Sequence, residues 1–87
     1  MIAEVRFHPQ AELELSSAAE WYAARRRGFG ELFLFAIEAS LARIVENPRQ
    51  CPVIDRATDL RRAQVPRFPY QVIFQATSTA TVVVAIA

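Results

Sequence analysis

The sequence predicts an α+β domain, a four-stranded antiparallel sheet with a helical hairpin packed on one face, in the order β-α-α-β-β-β. Three observations carry that expectation. The first residues alternate apolar and polar as a half-buried strand does. Two stretches then repeat their apolar residues at helical spacing. Three further strand-like stretches follow, and runs of helices followed by runs of strands indicate segregated layers rather than a parallel α/β fold.

Residues 2–7, IAEVRF, place Ala3, Val5 and Phe7 on one side and Ile2, Glu4 and Arg6 on the other. Pro9 suits the first position of a helix, and Glu12 and Glu14 complement the positive end of its dipole. Ala11, Leu15, Ala18 and Tyr22 form a stripe along that helix, with Ala19 and Trp21 beside it. RRRGFG closes it: the arginines match the negative end of the dipole, and Gly28 can adopt a left-handed cap.

The second helix is expected from about Gly30 to Glu46. Its run LFLFAI is apolar nearly all round, which marks it as the buried helix. Pro48 disfavours helix at Asn47, and Pro52 keeps the chain extended. Residues 53–59 read as a loop, followed by strands at about 60–65, 69–76 and 81–87, the last two joined by TSTA. Ala63 and Val65 are the inward pair of their strand, with Leu60, Arg62 and Gln64 outward. Tyr70, Val72, Phe74 and Ala76 line one face of the next, with Gln71, Ile73 and Gln75 on the other. Tyr70 is thus an inward aromatic. Pro66 and Pro69 bracket the connection between strands, where a missing N–H costs no ladder bond.

With 87 residues the chain suffices for one domain and one core. Its apolar fraction of 53% excludes disorder and implies either a full core or a surface that a partner covers. All ten basic residues are arginine, yet net charge is only +1, so any cationic patch must be local. Cys51 is alone and can form no internal disulfide; with no signal-like N-terminus and no run long enough to span a bilayer, a cytoplasmic location is expected. No phosphate loop, metal-ligand spacing or nucleophile motif occurs, so neither cofactor nor metal is expected.

Four collinear segments, FHPQAELEL, WYAARRRGFGELFLFAIEASLARIVENP, LRRAQVPRFPYQVIF and VVVAIA, closely resemble the RelE/ParE superfamily, in its plasmid-stabilisation branch. The most specific pieces are the FHPQA junction, the NP after the second helix, and RFPYQVIF. The resemblance covers nearly the whole chain, as a single toxin domain over residues 1–87. It implies a toxin of a type II toxin–antitoxin system, with a helical hairpin across a small antiparallel sheet. It also implies a cognate antitoxin that lays a helix, and often an added strand, over groove and sheet edge. Relatives usually continue past the last strand in a short tail bearing His, Arg and aromatic residues. The sequence stops at Ala87, so a tail trimmed from the domain is expected and its role falls on no residue here.

Two toxic mechanisms are implied: RelE-like cleavage of messenger RNA on the ribosome, and ParE-like poisoning of DNA gyrase by protein contact. RNA cleavage requires a base for the 2′-hydroxyl, cations for the developing charge and an acid for the leaving oxygen. Candidates for that work are Arg61, Arg62, Arg67 and Tyr70. There is no lysine, His8 reads as structural at a strand-to-helix junction, and a net charge of +1 is poor provision against ribosomal RNA. The gyrase mechanism is therefore favoured, with Arg61, Arg62 and Arg67 as target-binding residues. The alternatives are a ribosome-dependent endoribonuclease, and a degenerate member that binds antitoxin without toxicity. Trp21, lying off the main helical stripe, is the leading antitoxin-binding residue, with Leu13 and Phe29; core packing is the competing reading for Tyr22. Glu31, Glu38 and Glu46 form the solvated side of the second helix, and Cys51 has no neighbouring base in sequence to activate it.

Overall fold

The computed structural model describes residues 4–87. Strand β1 (Glu4–Phe7) leads into helix α1 (Pro9–Arg25), then α2 (Phe29–Glu46) and a single 3₁₀ turn (Pro48–Gln50). Strands β2 (Val53–Asp55), β3 (Leu60–Gln64), β4 (Gln71–Ala76) and β5 (Ala80–Ile86) complete the chain. The faces expected for Ile2 and Ala3 fall outside the described residues.

The α+β class and the helical hairpin on a sheet are as predicted, but the sheet differs in two respects. It has five strands, ordered β1-β5-β4-β3-β2, and β1 runs parallel to β5. The extra strand, Val53–Asp55, falls in the segment expected to be a loop. Its three residues are all exposed, so no apolar alternation announces it; pairing of Val53 with Arg61 and Asp55 with Leu60 alone makes it a strand. The parallel pair escapes sequence reading because alternation reports which face is buried, not which way a neighbour runs.

His8 joins β1 to α1. It is the N-cap of the helix, and its Nδ1 accepts from the Gln10 backbone N–H at 3.1 Å. Its own N–H donates to the Val83 carbonyl at 2.8 Å, which extends the β1–β5 contact into the cap. Pro9 occupies the first turn as expected. Gly28 adopts the left-handed conformation at φ 84°, which lets α1 turn into α2 in three residues, Arg26–Gly28.

Ala11, Ala18, Phe33, Ile37, Ile44, Val65, Val72, Phe74, Val83 and Ile86 form the core. Helix α2 contributes Gly30, Phe33, Ile37, Ser40 and Ile44, one stripe at alternating spacings of three and four. The reading of α2 as buried all round is corrected: Leu32, Leu34 and Phe35 are 53%, 40% and 64% exposed. A domain of one helical layer on one sheet has nothing outside the helices to cover their far side. The buried Ser40 hydroxyl is satisfied by the Gln64 carbonyl at 3.4 Å.

Tyr22 of α1 sits at the centre of an aromatic cluster with Phe33, Phe68 and Tyr70, at ring-centroid distances of 5.3, 4.9 and 6.2 Å. Phe33 is 5.2 Å from both Phe68 and Tyr70. This cluster ties both helices to the connection between β3 and β4. Tyr70 is inward, as its strand pattern predicts, with Val72 and Phe74 fully buried on the same side.

Candidate protein-binding site

Two open grooves flank the aromatic cluster. One, about 510 Å³, lies between the outer side of α2 and the β3–β4 connection. Phe29, Leu32, Phe35 and Ala36 come from the helix; Arg67 and Phe68 come from the connection. The other, about 520 Å³, lies between α1 and the start of β4, with Trp21, Tyr22 and Tyr70 in its lining. There the Glu14 carboxylate accepts from the Ile86 backbone N–H at 2.9 Å, fastening α1 to the end of β5.

The antitoxin-binding candidates fall in different places. Trp21, 49% exposed, stands at the second groove with the Arg25 guanidinium 3.6 Å from its ring centroid. Phe29 lines the first groove, with the Arg26 guanidinium 4.9 Å from its ring. Leu13 is exposed on α1 and lines neither. Of the three arginines at 25–27, only Arg25 lies within the last turn of α1; Arg26 is already extended.

The arginine candidates are likewise dispersed. Arg61 turns to the helix side of the sheet, paired across from buried Phe74. Its Nη1 donates to the Cys51 and Arg49 carbonyls at 2.9 and 3.3 Å, and its Nη2 lies 3.4 Å from Asp59. Only 18% of the side chain is exposed, so the guanidinium braces the 3₁₀ turn against β3. Arg62, one residue on, is exposed on the opposite face, across from Ile73. Arg67 sits in the β3–β4 connection, and Tyr70 is packed against Tyr22 and Phe33. Burial, with the neighbouring Tyr70 adding, pushes the Tyr22 phenol above its ordinary value. Burial likewise raises the Cys51 thiol despite Arg61 and Arg43 nearby, which disfavours the reactive thiolate.

These placements give two neighbouring arginines opposite expected effects on stability. Arg61→Ala strips the donors from two carbonyls and should cost about 1–3 kcal/mol. Arg62→Ala should stay within about 0.5 kcal/mol of the parent. Chemical denaturation of the two variants makes the comparison; equal stabilities would refute the bracing role of Arg61.

Leu32 and Phe35 are the groove-lining residues that sequence reasoning missed. The signal was present: once Phe33, Ile37 and Ile44 claim the buried stripe, residues 32 and 35 must point elsewhere. An all-round apolar helix in so small a domain keeps one side exposed, since only one face can pack on the sheet.

The geometry defines a small α+β protein with an exposed apolar helix face and with its arginine candidates dispersed over both sides of the sheet. The profile of the ParE toxin of the type II toxin–antitoxin system, parDE, matches residues 5–87, and the chain belongs to that family. Its fold is similar to that of a solved chain from the chromosomal ParDE TA system of P. aeruginosa. That match has a TM-score of 0.77 at 13% identity and covers 97% of this chain and 92% of the other. At such identity the likeness is one of fold. No curated protein matches the sequence. No helix among the described residues is long and apolar enough to cross a membrane.

Proposed function

We propose that this toxin is held inactive by a cognate antitoxin whose apolar segment covers the outer side of α2, and that its freed form poisons DNA gyrase by protein contact in the cytoplasm. The observation that carries the antitoxin reading is the exposed set Leu32, Leu34 and Phe35 beside a groove of about 510 Å³. Apolar surface of this kind suits an amphipathic helix laid into a groove.

The choice of a protein target over RNA rests on dispersal. Arg61 is committed to two carbonyls and Asp59, Arg62 lies on the other face, and the His8 Nδ1 accepts a helix N–H. General acid–base cleavage of RNA needs such groups within hydrogen-bonding reach of one phosphate.

The test is induction of the toxin with and without the neighbouring gene, followed by gyrase supercoiling and translation assays on purified toxin. Gyrase inhibition relieved by the neighbour's product is the expected result. Cut transcripts and arrested translation with intact gyrase activity would reverse the choice of target, and harmless expression would mark a degenerate member. The double substitution Leu32→Ser/Phe35→Ser should leave the fold intact and weaken antitoxin binding by roughly 100-fold or more. Wild-type affinity in that variant would remove the groove from the interface.

A further inference from the structure

The β3–β4 connection contains a residue at odds with its own backbone. Val65–Pro66–Arg67–Phe68 is a tight turn closed by the Phe68 N–H donating to the Val65 carbonyl at 3.3 Å. Pro66 pre-sets the first central position, and Arg67 occupies the second at φ 71°. That is the geometry of a type II turn, whose second central position favours glycine because a Cβ is strained there. The surroundings leave the turn little freedom. Gln64 Nε2 donates to the Phe68 and Tyr70 carbonyls at 3.2 and 3.1 Å, and the Val65 N–H donates to the Tyr70 carbonyl at 2.9 Å.

Asp59, the other non-glycine residue at positive φ, is different. Aspartate tolerates this conformation, and the side chain pairs with Arg61 at 3.4 Å. Arg67 has neither excuse: among the described residues no carboxylate pairs with it and its guanidinium makes no hydrogen bond inside the domain. A strained residue with no internal use points to an external one.

Its position indicates which. Arg67 lies at one wall of the apolar groove formed with Phe29, Leu32 and Phe35. Arg26, stacked on Phe29, adds positive charge at the same groove, while Glu31 and Glu38 flank Leu34 and Phe35 on the outer side of the helix. The groove therefore has an apolar floor, a cationic wall and an acidic outer flank. We infer that Arg67 is the charged anchor of antitoxin recognition, receiving an aspartate or glutamate from the amphipathic helix that fills the groove. This rests on the antitoxin reading above. It changes the role of Arg67: a candidate for gripping the target becomes a residue that the antitoxin covers.

The experiment compares Arg67→Gly, Arg67→Asn, Arg67→Glu and Leu32→Ser/Phe35→Ser against wild type, with the purified product of the neighbouring gene as probe. Calorimetry at low and high salt gives affinity, and thermal melting gives stability. Arg67→Gly should melt no lower than wild type, and up to roughly 4 °C higher, because glycine relieves the turn. Arg67→Asn, which also tolerates positive φ, guards against a folding artefact. Both should bind roughly 10-fold more weakly and lose much of the salt dependence, and Arg67→Glu should bind roughly 100-fold more weakly. Binding by Arg67→Gly within about twofold of wild type, while the apolar double variant fails, would overturn the anchor and leave the groove standing. Full antitoxin binding with lost toxicity would return Arg67 to the target and also overturn it. No binding by wild type would fell the antitoxin reading, and the anchor with it.

Discussion

Phe33→Ala should leave the domain unfolded or close to its midpoint at room temperature. The ring has no exposed surface and packs among Tyr22, Phe68 and Tyr70 at 5.2–5.3 Å. Truncating such a side chain costs about 3–5 kcal/mol, through lost burial and the cavity left behind. A chain of this length has about 4–13 kcal/mol in total. Loss of Phe33 also disconnects α2 from the β3–β4 connection, so the groove should fail with the core. The control is Phe35→Ala, two residues away on the exposed side, which should melt near wild type. Urea denaturation of the pair decides it: similar midpoints would contradict the assignment of faces on α2.

Gly30→Val should be nearly as damaging, for a different reason. A Cβ at Gly30 would stand 2.8 Å from the Ala19 carbonyl oxygen and 3.0 Å from the Ala23 Cβ. The first of these atoms is backbone, so relief requires α1 and α2 to separate. Overpacking of this kind costs about 1–3 kcal/mol, and a branched side chain adds more atoms to the clash. Gly30→Ala should cost less, since alanine recovers about 1 kcal/mol of helix propensity. Thermal melts should rank wild type above alanine and alanine above valine. A valine variant as stable as wild type would mean that the hairpin is not closely packed at this crossing.

The parts of the fold legible in sequence were those governed by local periodicity. His8 and Pro9 at the helix start, Gly28 at the hairpin and the inward set Tyr70, Val72 and Phe74 all follow from rules that act within a few residues. The strand at Val53–Asp55 was not legible, because a short edge strand exposed on both faces has no alternation to read. The direction of β1 beside β5 was not legible either, since it depends on a neighbour at the other end of the chain.

The candidate site was legible in composition and not in placement. Excess apolar content implied either a full core or a surface that a partner covers, and α2 leaves Leu32, Leu34 and Phe35 exposed. The arginines show the limit most clearly. Arg61 and Arg62 are neighbours in sequence, yet one is fastened to the Cys51 and Arg49 carbonyls and the other faces solvent. Strand alternation puts them on opposite faces, but only coordinates reveal which carbonyls wait on the side of Arg61.

The pairing of Glu4–Phe7 with Ala80–Val83 has a kinetic corollary. Strand β1 must wait for β5 before it acquires a hydrogen-bonded neighbour, so both helices and the intervening strands have to emerge before the sheet can close. Contacts of such high order are slow to form, because the connecting chain must surrender its freedom first. A nascent molecule therefore passes through an interval with its helices formed and its β-layer open. The exposed side chains of Leu32, Leu34 and Phe35 are thus open to a partner, or to aggregation, before the sheet has closed.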